Sequence, residues 1–93
     1  MDWRMVEKEV EIANVLGLHA RASSKFTQTA GRFASEVWVE RRGKKVNGKS
    51  ITGLMMLAAP KGSAITIRCM GSDEVDALNA LTELVEGLFG EDK

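Results

Sequence analysis

The sequence predicts an α+β fold: an open-faced β-sandwich whose four-stranded antiparallel sheet carries three helices on one face, in the order β-α-β-β-α-β-α. Three observations predict it. Segments with a hydrophobic period of two alternate with segments of helical period. Turn-forming residues separate them at short intervals, with no repeat, low-complexity tract or linker. Strands that bury one face need a helical layer over that face only.

The first strand is VEKEVEI, from Val6 to Ile12, with Val6, Val10 and Ile12 on one face. Asn14-Val15-Leu16-Gly17 is a turn-prone break. Ala22, Phe26 and Ala30 then recur every four residues, one stripe of a helix from Ala20 to Ala30, with His19 as its N-cap. Gly31 is placed to end it in a left-handed conformation. Ser35 to Arg41 alternates, with Val37 and Val39 opposite Trp38. After the turn Arg42-Gly43-Lys44 a short, polar strand returns through Lys45-Val46-Asn47, as an edge strand does.

Ser50 is an N-cap residue type ahead of Ile51-Thr52-Gly53-Leu54-Met55-Met56-Leu57, a short helix closed by Pro60 and Gly62. Ala64 to Met70 alternates again, with Ile65, Ile67 and Cys69 inward. In the last helix Ser72 is the expected cap, and Asp73, Glu74 and Asp76 suit the positive end of the helix dipole. Ala77, Leu78, Leu81, Leu84, Val85 and Leu88 form its apolar stripe, and Gly90 with a charged tail closes the segment.

Ninety-three residues make one domain, 1–93. A chain of that size buries about 60–65% of its unfolded surface, enough for a core without disulfides or metal. Thirteen basic and thirteen acidic side chains cancel, which argues against nucleic acid or an anionic membrane as partner. The two tryptophans and three phenylalanines, with no tyrosine, supply no base-stacking platform. One cysteine, Cys69, and one histidine cannot build a metal cluster, so no metal and no cofactor is expected. Met1 to Met5 is mixed rather than apolar, and the apolar run Leu54 to Ala59 is far too short to span a membrane. The expectation is a cytoplasmic protein without membrane insertion.

His19 is the one residue whose placement asks for chemistry. The first N–H groups of the helix lack intrahelical partners and favour an anion, and Arg21 and Lys25 add positive charge. A neutral imidazole there is a nucleophile beside an anion site, which suits acceptance of a phosphoryl group. Composition supports a plainer reading as well, a polar residue in a loop. No Ser, Asp or Glu stands at a spacing that builds a triad with it. Ile51, Leu54, Met55 and Met56 cannot all face the sheet, since successive helical positions lie about 100° apart. Part of that helix is therefore an exposed apolar patch suited to docking. Cys69 and Trp38 read as a core side chain and a packing residue on the open sheet face.

The segment GLHARASSKF resembles the active-site segment of HPr, the histidine-containing phosphocarrier family of the phosphoenolpyruvate-dependent sugar phosphotransferase system. Gly17, Leu18, His19, Ala20 and Arg21 match in order. NGKSITGLMMLAAPKGSAITI resembles the family's regulatory-serine helix and the strand after it, and the likeness runs from about Val6 to Phe89. The resemblance implies a monomeric carrier rather than an enzyme with turnover of its own. His19 would take the phosphoryl group on Nδ1 from phospho-enzyme I and pass it to enzyme IIA domains. Arg21 would neutralise the phosphoryl oxygens. Ser50 would be a site for an HPr kinase/phosphorylase, and Ser24, Ile51, Thr52 and Met55 would contact partners. Ala22 stands where the family usually has proline, which removes rigidity rather than chemistry. Two other readings are open at this level: a relative in a nitrogen-related or regulatory branch, and a binding module that uses no covalent chemistry.

Overall fold

Period-two alternation is clean in the two segments that become the interior strands of the sheet, Ala64–Met70 and Glu36–Arg41. The computed structural model describes residues 5–93; Met1 to Arg4, which carry most of the Met1–Met5 reading above, lie outside them. The elements are β1 (Val6–Glu11), α1 (Ala20–Ala30), β2 (Glu36–Arg41), β3 (Lys44–Asn47), α2 (Ile51–Met56), β4 (Ala64–Met70) and α3 (Glu74–Glu86), then a 3₁₀ turn at Leu88–Gly90. The strand order is β1-β4-β2-β3, and every pairing is antiparallel. Four strands, three helices and their order are as the sequence predicts.

Register explains why one face is apolar. Val10 stands opposite Ile65, while Val39 and Val37 stand opposite Ile67 and Cys69. These rows join Phe26, Leu54, Leu57, Leu81, Val85 and Phe89 in one core. On the open face Arg68 meets Glu7 at 3.4 Å and also pairs with Glu40. Trp38 lies there too, its Nε1 donating to Glu36 and its ring 5.0 Å from the Lys45 ammonium. Burial pushes the Cys69 thiol up to about 11, with the Glu74 and Asp73 carboxylates acting in the same direction, so it is an inert core group.

Three details depart from the sequence reading. Gly31 is right-handed (φ −66°), so α1 ends by running on into a turn in which Arg32 N–H donates to Thr29. At the start of α3 the cap position falls to Asp73 rather than Ser72, and its carboxylate makes no cap bond. Asp73 instead accepts the N–H groups of Ala34 and Ser35, each at 2.9 Å, and the Ser35 hydroxyl, tying the β4–α3 corner to the loop before β2. Finally, α3 stops at Glu86, and Leu88 belongs to the terminal turn, where Phe89 supplies the buried side chain.

Candidate functional site

The turn before α1 sets the position of His19. Gly17 donates to the Asn14 carbonyl at 3.1 Å and adopts φ +68°, while a Cβ there would fall 2.6 Å from the Ala59 carbonyl. Glycine is required on both counts. Leu18, buried, donates to that same carbonyl at 2.9 Å, so the loop is anchored one residue before the imidazole.

His19 is the N-cap of α1. Its Nδ1 accepts the Arg21 N–H at 3.3 Å, which aims this nitrogen across the free N–H groups of the helix. Its Nε2 lies 2.5 Å from Oε2 of Glu91. The two contacts fit one neutral tautomer: a backbone N–H only donates and a carboxylate only accepts, so the arrangement suits a proton on Nε2 and a lone pair on Nδ1. The His19 side chain is 27% exposed rather than open to solvent, because the chain terminus covers one edge of the ring. It lines a cleft of about 610 Å³ with Val15, Leu16, Arg21, Glu91 and Lys93.

Glu91 is a partner of His19 that the sequence reading, which found no Ser, Asp or Glu at a triad spacing, did not bring to it. No periodicity signals it, since the two residues are 72 positions apart. Asn14, fully buried, donates from Nδ2 to the Gly17 carbonyl at 2.8 Å and to Oε1 of Glu91 at 3.0 Å. Burial works against ionisation of Glu91, but the Asn14 and His19 hydrogen bonds outweigh it and hold the carboxyl below its ordinary range. Lys25, read from the sequence as charge for an anion, has a partner in the terminal turn. Its ammonium donates to the Phe89 carbonyl at 2.7 Å and secures the terminal turn. The Arg21 side chain is exposed and makes no hydrogen bond among the described residues, which leaves its charge available at the cleft.

The second predicted position, Ser50, is a cap: its Oγ accepts the Gly53 N–H at 3.0 Å. On α2, Leu54 is buried, while Ile51, Thr52, Met55 and Met56 are exposed. Helices α1 and α2 pack on each other, which brings Ser24, half-buried on α1, into the same helical layer. Among the described residues no group of His, Cys, Asp or Glu could hold a metal, and no helix is long and apolar enough to cross a membrane.

The family model for the "PTS HPr component phosphorylation site" matches residues 6–87. The phosphocarrier protein HPr of Neisseria meningitidis serogroup A is 60% identical over 87 residues, covering 94% of this chain and 98% of that protein. The crystal structure of HPr-C-His from Thermoanaerobacter tengcongensis superposes with a TM-score of 0.91 at 45% identity, covering 95% and 99% of the two chains. An HPr dimer from the same organism superposes with a TM-score of 0.75 at 48% identity, covering 88% and 94%. A full-length match of sequence and fold, with a histidine capping the first helix, places the chain in the HPr family of phosphocarrier proteins.

Proposed function

We propose that the chain accepts a phosphoryl group on Nδ1 of His19 from phospho-enzyme I and passes it to enzyme IIA domains in sugar uptake. The observation that carries this reading is the orientation of the imidazole: Nδ1 holds the lone pair and faces the start of α1. In the acceptor step the lone pair of Nδ1 forms the new P–N bond while the bond from phosphorus to the donor breaks, the donor atom leaving with that electron pair. The incoming dianion is met by the helix N-terminus and by Arg21. The exposed surface of Ile51, Thr52 and Met55, with Ser24 beside it, is the docking face for both partners. Methionines adapt to differently shaped partners. Ser50, at the edge of that face, is a regulatory phosphorylation site where the host has the kinase. The carrier works in the cytoplasm as a monomer, with no turnover of its own.

The test is incubation with enzyme I and phosphoenolpyruvate. Wild type should gain one acid-labile phosphate and His19→Ala none. Uptake of acid-labile phosphate by His19→Ala would overturn the assignment. Sedimentation of the free and phosphorylated protein tests the monomer.

A further inference from the structure

Three features around the terminal turn have no part in a carrier that needs only an exposed histidine. Leu88 and Phe89 both hold left-handed backbone, φ 61° and 56°, followed by Gly90 at 78°. Such conformations in residues with a Cβ are costly and persist only where the surroundings impose them. Here the fully buried Phe89 ring and the Lys25 ammonium on the Phe89 carbonyl impose them. The result is delivery of Glu91 to the edge of the His19 ring. Moreover, Asn14 is fully buried, and its Oδ1 has no hydrogen-bond partner among the described residues. An asparagine in that state spends its amide wholly as a donor, to Gly17 and to Glu91.

We infer that Asn14 and Glu91 form a positioning relay that holds the His19 proton on Nε2 and so keeps Nδ1 as the nucleophile. The inference rests on the phosphocarrier reading and extends it to residues outside the recognised motif. The order of the relay follows from donor and acceptor chemistry. Nδ2 of Asn14 only donates, so it fixes the Glu91 carboxylate. The carboxylate only accepts, so it requires Nε2–H. Once Nδ1 is bonded to phosphorus the ring keeps its Nε2 proton and carries a positive charge, which Glu91 faces at hydrogen-bond distance. A carboxylate that orients an imidazole and stabilises its cation is a known way to sustain nucleophilic chemistry. Glu91 and Asn14 act through His19 and touch no transferred atom.

The experiment is ¹⁵N NMR of the His19 ring in unphosphorylated protein, with transfer kinetics from phospho-enzyme I. Wild type should show protonated Nε2 and unprotonated Nδ1. Glu91→Ala should give a mixture of tautomers at unchanged fold, and kcat for acceptance should fall roughly ten- to a hundredfold, the range for loss of a charged hydrogen bond. KM for the donor should change little. Glu91→Gln is the sharper variant. Asn14 claims the new amide's carbonyl, so its NH₂ faces Nε2 and drives the proton to Nδ1. Glu91→Gln should therefore transfer no faster than Glu91→Ala, although it is the closer isostere. A glutamine variant milder than alanine, or an unchanged tautomer in Glu91→Ala, overturns the relay. Failure of wild type to accept phosphate overturns the carrier reading instead, while a tautomer shift in the unphosphorylated variants would still uphold the relay.

Discussion

At His19 one side chain serves two neighbours through two nitrogens, so its removal has two separable costs. His19→Ala loses the cap to Arg21, about 1 kcal/mol, together with the contact to Glu91. The fold should survive by circular dichroism while phosphoryl acceptance disappears. Ser50 separates in the opposite way. Ser50→Ala removes the bond from Gly53 and should cost about 1 kcal/mol in chemical denaturation. Ser50→Asp keeps a good cap and should leave Tm nearly unchanged, yet place a charge at the apolar face and slow transfer from phospho-enzyme I. Equal rates for Ser50→Asp and wild type would remove the regulatory role.

Asp73 carries a pH dependence. The Ser35 hydroxyl, then the Ala34 and Ser35 N–H groups, hold its carboxyl below the ordinary range despite some opposing burial. A depressed folded-state value means the stabilisation is complete above the unfolded carboxylate value, about 4. It is lost as pH falls through the lower folded value. Asp73→Asn should be less stable than wild type at neutral pH, and the gap should close on acidification below about pH 4, read from urea midpoints. A gap that stays constant into acid would show that Asp73 acts there without its charge.

Elements set what these residues can reach. The turn Asn14–Gly17 fixes the entry to α1 because Gly17 takes a left-handed φ against the Ala59 carbonyl. Gly17→Ala should destabilise by more than about 1 kcal/mol and lower the transfer rate, since the same turn carries Asn14. At the other end the terminal turn depends on Phe89. Phe89→Ala should cost about 3–5 kcal/mol and release Glu91, so the His19 tautomer should shift with the stability loss. Helix α2 is too short to hold itself together by propensity. It persists through the Ser50 cap and the buried Leu54, and so it can leave Ile51, Met55 and Met56 to solvent.

Over the whole molecule, β4 is the strand that both neighbours depend on, paired with β1 on one side and β2 on the other. The helices share one core with the inward face of the sheet, which leaves the opposite face to Arg68, Trp38 and the glutamates of β1. The ends of the chain's first loop and last turn meet over one ring only because the sheet brings β1 to the edge against which α3 packs.

By itself the sequence determined the elements, because alternation and helical spacing are local consequences of burying one face. It determined α1 from Ala20 to Ala30, the caps at His19 and Ser50, the inward set Ile65, Ile67 and Cys69, and through the GLHAR segment the family. What only the tertiary structure decided is long-range or set by competition between partners. Asp73 caps α3 by position only, because two N–H groups and a hydroxyl across the loop offered its carboxylate more than a cap. Lys25 took as its partner a carbonyl that no local pattern places beside it. Glu91 reached His19 across 72 positions, a contact that depends on a left-handed turn and a buried phenylalanine, and neither leaves a periodic signal in the chain.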